Sequence, residues 1–172
     1  MSKERVVYLG LGSNIGDRFG HLTGAISSIE RKGLRVEAVS SAWETEPVGE
    51  ILDQPDFLNA AVRVRTGLDP EPLLGLLKEI EAEHGRAAGR PRHAPRELDI
   101  DLLLMGGLEF ESDRLRLPHR EVTGRRFVLA PLLELDPDLC LPDGRRLADA
   151  LAVLPEGQAV RRAGPLVPSE PA

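Results

Sequence analysis

Asp99 and Asp101 stand one residue apart in the run Glu97-Leu98-Asp99-Ile100-Asp101-Leu102-Leu103-Leu104. The run has the composition of a strand, in which every second side chain points the same way. The two carboxylates would then share a face, ~7 Å apart at Cα, and Leu98, Ile100, Leu102 and Leu104 would share the buried one. A rigid pair of acids can clamp a hard cation. Mg²⁺ takes one or two carboxylates and fills its other positions with substrate phosphate oxygens and water, so the pair suits a nucleotide site. Two solvated acids on an open sheet face have the same spacing, and a motif this short recurs by chance.

Just before the acids, Arg86, Arg90, Arg92, His93 and Arg96 fall within eleven residues, the densest basic stretch of a chain whose net charge is −6. Guanidinium groups bind phosphate oxygens two at a time and stabilise charge that develops in phosphoryl transfer. Arginines beside carboxylates point to a triphosphate. The alternative is a solvated loop whose arginines balance Glu81, Glu83 and Glu97.

A third feature lies at Phe57 and Asn59, which project opposite the apolar face of Leu58, Ala60, Val62 and Val64. An aromatic ring gains little on a polar face unless it stacks, and an amide offers a donor and an acceptor to a flat heterocycle. Ordinary packing under the segment 44–56 would explain the same pattern. Gly10-Leu11-Gly12-Ser13-Asn14-Ile15-Gly16 follows a strand and precedes a helix, but it has neither the G-x-G-x-x-G spacing of a dinucleotide fold nor the Gly-Lys-Ser/Thr end of a P-loop. It reads as a tight turn beside the site.

The elements that position these groups follow from periodicity. Arg5 to Gly10 reads as a strand; Asp17 opens a helix with Leu22, Ala25, Ile26 and Ile29 on one face, and Gly33 ends it. A second strand is expected over Leu34 to Trp43, then a loop over Glu44 to Asp56 with Pro47, Gly49 and Pro55. The alternation from Phe57 to Thr66 marks a third strand. Asp69 and Pro70 start a helix with Leu73, Leu74, Leu77 and Ile80 in a stripe, stopped by Gly85. Residues 85–95 read as a loop, and Leu98 to Met105 as a strand. A short hairpin reaching Pro118, a brief helix over Arg126 to Leu133, a turn at Pro142-Asp143-Gly144 and a last helix over Leu147 to Leu154 complete the expectation.

Pro155 to Ala172, with four prolines and few apolar residues, is expected to be a loosely held tail, leaving one domain over 1–154. Strand, helix, strand, strand, helix, strand is the order of an α+β, ferredoxin-like sandwich, with helices on one face of an antiparallel sheet and the ligand site on the other.

At 172 residues the chain can bury a core without disulfides. Its one cysteine, Cys140, forms no intrachain disulfide, suits a reducing cytoplasm and is expected in the core. The sequence holds no apolar run long enough for a membrane span. The acidic balance argues against a general nucleic-acid binder, and six aromatics supply little stacking surface for RNA. A two-metal phosphohydrolase would need more metal ligands than two aspartates.

Leu11-Gly12-Ser13-Asn14, Asp53-Gln54-Pro55-Asp56-Phe57-Leu58-Asn59, Pro95-Arg96-Glu97-Leu98-Asp99-Ile100-Asp101 and Leu117-Pro118-His119 together resemble the 6-hydroxymethyl-7,8-dihydropterin pyrophosphokinase family, in order and in gaps, from about Val6 to Gly144. The resemblance implies transfer of the β,γ-pyrophosphoryl group of ATP to the pterin hydroxymethyl oxygen, yielding AMP, in folate biosynthesis, with two Mg²⁺ ions. It implies that Asp99 and Asp101 hold the metal, that Phe57 and Phe127 sandwich the pterin, that Asn59 reads its edge, and that Thr45, Pro47 and Val48 complete the pocket. Arg86 and Arg96 would clamp phosphates during transfer, and His119 and Arg125 would hold them. Leu74, Lys78, Glu81, Leu102, Arg114, Leu115 and Arg116 would line the nucleotide site. The chain departs from the family's best-known pattern at Ala88, His93 and Arg120, which stand for an arginine, a tryptophan and a tyrosine. The expected protein is a cytoplasmic monomer that uses ATP and the hydroxymethyl-dihydropterin.

Overall fold

The computed structural model describes residues 4–45, 56–84, 97–155 and 160–166. Its sheet is built from β1 (Arg5–Ser13), β2 (Arg35–Val39), β3 (Ala42–Thr45), β4 (Phe57–Thr66), β5 (Asp99–Met105) and β8 (Val160–Gly164). The strand order is β5-β1-β4-β3-β8, with β2 also on β4, and every pairing is antiparallel. The helices are α1 (Arg18–Arg31), α2 (Pro70–Glu83), α3 (Arg126–Leu135) and α4 (Leu147–Ala152), and β6 (Phe110–Glu111) with β7 (Arg116–Leu117) forms the expected hairpin.

Local chemistry sets most boundaries. Asp17 caps α1 by accepting from the Gly20 N–H at 2.9 Å, and Gly33 leaves the helix at φ +94, a conformation that favours glycine. Pro70 opens α2 where its missing N–H is harmless. The single strand expected over 34–43 is two. Ser40 takes over the ladder at the break, its Oγ accepting from the Ala61 N–H at 2.8 Å while its N–H donates to the Ala61 carbonyl at 2.9 Å. The Gly10-to-Gly16 turn is also displaced: β1 runs through Gly10, Gly12 and Ser13.

Alternation sorts the strand residues onto two cores. Leu9, Leu11, Leu58, Val62, Ile100 and Leu102 face Leu22, Ile29, Leu73, Leu77 and Ile80 of α1 and α2. Each such leucine contributes about 1.5–3 kcal/mol by leaving water. On the other face, Tyr8, Ala61, Leu103 and Leu104 pack against Leu129 and Leu132 of α3 and Leu147 of α4. The second face is therefore open only beyond α3 and α4. Leu104 belongs to this second core, not with Leu98, Ile100 and Leu102 as the alternation predicts. Tyr8 pairs with Leu104 and Leu9 with Leu102, so Leu103 is an extra residue in β5 and shifts the pattern by one.

Two further expectations change. Residues 160–164 of the segment expected as a loose tail form β8 on the edge of β3, and Leu166 is buried in the first core. Cys140 is exposed rather than in the core: it sits at a single-residue bridge to Arg146, with its thiol donating to the Asp138 carbonyl at 3.4 Å in a solvent-exposed turn.

Candidate active site

The aspartates and Asn59 lie in one cleft because of register. Asp99 pairs with Gly12, and Gly12 pairs in turn with Asn59; Asp101 pairs with Gly10, and Gly10 with Ala61. Directly paired residues share a face, and each strand adds about 4.8 Å, so Asp99 and Asn59 face the same side roughly 10 Å apart. The two glycines between them put no side chain in that gap. A Cβ on Gly12 would come within 3.2 Å of Asn59 Oδ1 and 3.8 Å of Phe57 Cδ1.

The cleft is lined by Thr45, Phe57, Asn59, Asp99, Asp101, Arg125, Phe127 and Val128 over a floor of Gly10, Gly12 and Ala61. Asn59 Nδ2 donates to Thr45 Oγ1 at 2.8 Å, and both side chains are buried. That bond sets the amide's orientation and leaves its other N–H and its carbonyl for a ligand. Phe127 opens α3 on the far wall, with the Arg125 guanidinium 5.5 Å from its ring centroid and 3.3 Å from Glu121 Oε2. Two rings, an oriented amide and a buried hydroxyl suit a flat polar heterocycle.

A second groove, on the α2 side of β5, is lined by Leu74, Lys78, Asp101, Leu102, Arg114, Leu115, Arg116 and His119. Of the residues expected around the nucleotide it brings together Leu74, Lys78, Leu102, Arg114, Leu115, Arg116 and His119, and it adds Glu111, Ser112, Asp113 and Arg120, while Arg125 lines the first cleft. Glu81 lines neither cavity. It lies 1% exposed behind the strand, where Oε2 accepts from the Ile100 N–H at 2.7 Å and Oε1 is 3.1 Å from Lys78 Nζ. Asp101 lines both cavities.

The electrostatics mark the same place. Desolvation in the cleft, then the Asp99 and Glu81 carboxylates, push the Asp101 carboxyl up to about 7, with Lys78 and Arg125 partly opposing them. His119 is pushed down, first by burial. Its Nδ1 accepts from the Glu121 N–H at 3.0 Å, so the neutral ring carries its proton on Nε2, 4.0 Å from Asp101 Oδ1. Among the described residues no group of three or more His, Cys, Asp or Glu could hold a metal. Two carboxylates on one strand face could hold a hard divalent cation that takes its other ligands from phosphates and water.

Pro47, Val48, Arg86 and Arg96, together with Ala88, Arg90, Arg92 and His93, lie outside the described residues. Sequence reasoning missed Gly10, Gly12, Ala61 and Val128 as part of the cleft. The signal for the first two was glycine at every second position of a strand end, which clears one face.

The profile of the 7,8-dihydro-6-hydroxymethylpterin-pyrophosphokinase (HPPK) family matches residues 8–137. The chain is 47% identical over 148 residues to the 2-amino-4-hydroxy-6-hydroxymethyldihydropteridine pyrophosphokinase of Methylorubrum extorquens, covering 86% of this chain and 92% of that one. It is 42% identical over 150 residues to the protein of the same name from Pseudomonas aeruginosa, covering 87% and 91%. It matches the mitochondrial folate synthesis bifunctional protein of Arabidopsis thaliana at 46% over 134 residues, spanning 78% of this chain but 24% of that protein. The fold is similar to that of wild-type Plasmodium falciparum HPPK-DHPS solved with pterin and p-hydroxybenzoate, at a TM-score of 0.69 and 17% identity, covering 88% of this chain and 43% of that one.

Proposed function

The chain belongs to the 7,8-dihydro-6-hydroxymethylpterin-pyrophosphokinase family, and from that premise we propose that the cleft between Phe57 and Phe127 holds the pterin, the groove along β5 holds ATP, and Asp99 and Asp101 hold Mg²⁺ where the two meet. The protein is an ATP-dependent pyrophosphokinase of folate biosynthesis that transfers pyrophosphate to hydroxymethyldihydropterin. The observation that carries the assignment of sites is that Asp101 lines both cavities, so two ligands in them would meet at the acid pair.

Two Mg²⁺ ions bound by Asp99 and Asp101 would neutralise phosphate charge and polarise the transferring group. The chain's own residues position the reactants. Asn59, held by Thr45, fixes the pterin edge, and Phe57 and Phe127 fix its plane. His119 Nε2–H and the Arg125 guanidinium face phosphate oxygens, while Lys78, Arg114 and Arg116 line the nucleotide groove; Arg86 and Arg96 clamp the phosphates during transfer. With the pterin hydroxyl in line with the β-phosphorus, its oxygen gives up its proton to water and bonds to that atom, the bond from the β-phosphorus to the oxygen it shares with the α-phosphate breaks, and AMP leaves with that oxygen. Positioning and charge neutralisation supply the rate. The expected protein acts as a monomer in the cytoplasm without nucleic acid, and no helix among the described residues is long and apolar enough to cross a membrane.

The test is incubation with ATP, Mg²⁺ and 6-hydroxymethyl-7,8-dihydropterin. Pterin-dependent AMP is the expected product. ADP, free phosphate or AMP formed without pterin would overturn the reading.

A further inference from the structure

Strand β8 lies outside the residues 8–137 that the family profile matches, yet it completes the sheet beside the pterin cleft. In the register, Trp43 of β3 stands between Asn59 of β4 and Arg162 of β8, and Glu44 stands between Leu58 and Arg161. One row therefore runs across five strands from Asp99 through Gly12, Asn59 and Trp43 to Arg162.

The two arginines of β8 engage opposite faces of β3. On the cleft side, the Arg162 guanidinium lies 5.2 Å from the Trp43 ring centroid and 3.8 Å from Glu134 Oε1. Glu134 also accepts from Trp43 Nε1 at 3.0 Å and from the Ser41 N–H and hydroxyl at 2.9 and 3.0 Å. Glu134 belongs to α3, the helix whose first turn carries Phe127. On the helix side, Arg161 lies 3.3 Å from Glu44 Oε1 and 3.8 Å from Asp56 Oδ2. From α1, Arg18 reaches the same pair, 3.6 Å from Glu44 Oε1 and donating to the Asp56 carbonyl at 3.0 Å. Glu44 precedes Thr45, and Asp56 precedes Phe57.

We propose that β8 is a positioning element for the pterin pocket, in which Arg161 and Arg162 hold the end of β3, the start of β4 and, through Glu134, the last turn of α3 so that Thr45, Asn59, Phe57 and, through the helix it sits on, Phe127 keep the spacing the heterocycle needs. Any one of these partly exposed pairs contributes little. Joined through Glu44 and Glu134, they restrain three elements at once, and such networks act beyond the sum of their pairs. The proposal rests on the assignment of the cleft to the pterin.

The experiment uses the full chain with Arg161→Ala and Arg162→Ala together, and with Arg161→Lys and Arg162→Lys together. Trp43, the only tryptophan, reports on the network through acrylamide quenching. The alanine pair should raise the pterin KM about tenfold and leave kcat and the ATP KM within about twofold. Trp43 should become more open to acrylamide, and the lysine pair should recover most of the pterin KM.

If the alanine pair does not fold, Glu134→Gln, which keeps one carbonyl acceptor, should give the same split at smaller size. An unchanged pterin KM, or pterin and ATP KM values rising together, would overturn the positioning role while leaving the function intact. Wild-type protein that forms no pterin-dependent AMP would instead remove the pterin assignment and this proposal with it.

Discussion

Glu81 Oε2 accepts a 2.7 Å hydrogen bond from the backbone N–H of Ile100, the residue between Asp99 and Asp101. A buried carboxylate on α2 thus holds β5 at the point from which both acids project, and Lys78 lies 3.1 Å from its other oxygen. In that place it can position the acids through the Ile100 backbone.

Glu81→Ala should leave the Ile100 N–H without an acceptor, at a cost of about 1–3 kcal/mol. For a chain of this size that corresponds to a fall in Tm of roughly 2–12 °C, read by calorimetry. Glu81→Gln keeps an acceptor and should lose less. An alanine variant as stable as wild type would show that the bond holds nothing.

Asp101 makes stability depend on pH in a defined direction. Its folded-state pKa of about 7 lies above the ordinary 3.8, so the folded protein holds the proton more tightly than the unfolded chain. Stability then falls as pH rises from about 4 to about 7 and is level above that. Because 46% of the side chain remains exposed, solvent screening reduces the effect to about 1 kcal/mol. In metal-free buffer, Asp101→Asn should therefore be more stable than wild type at pH 8, with the gap closing toward pH 4. A gap independent of pH would contradict this origin.

Asp99→Ala and Asp101→Ala should each abolish turnover, by about 10³-fold or more if several kcal/mol of charge stabilisation are lost. Pterin binding, measured by titration, should change little because Asn59, Thr45 and Phe57 are untouched. Near-normal AMP formation by either variant would remove the pair from the metal site.

Gly12→Ala places a Cβ 3.2 Å from Asn59 Oδ1. The amide must move, which strains its 2.8 Å bond to Thr45. The pterin KM should rise about tenfold, the equivalent of about 1.4 kcal/mol, while the ATP KM holds. Equal shifts in both constants would point to a general loosening of the sheet instead.

The sequence by itself determined the parts with strong local periodicity and local chemistry. The strand from Phe57 to Thr66, the helix from Pro70, the cap at Asp17 and the shared face of Asp99 and Asp101 all follow from side-chain alternation, helical spacing and turn residues. The quoted motifs also carried the family resemblance, since they are read residue by residue.

Tertiary structure decided what depends on pairing. Alternation says which residues share a face but not which strand lies alongside or in what register. The placement of Gly10 and Gly12 between the acids and β4, the extra residue Leu103 in β5, and the burial of Glu81 behind Ile100 all arise from contacts between residues distant in the chain. Strand β8 is the plainest case: Val160 to Gly164 has two arginines and little apolar character, and it is ordered by the free N–H and C=O groups on the edge of β3. That edge exists only once the sheet has formed, so five residues could not announce it.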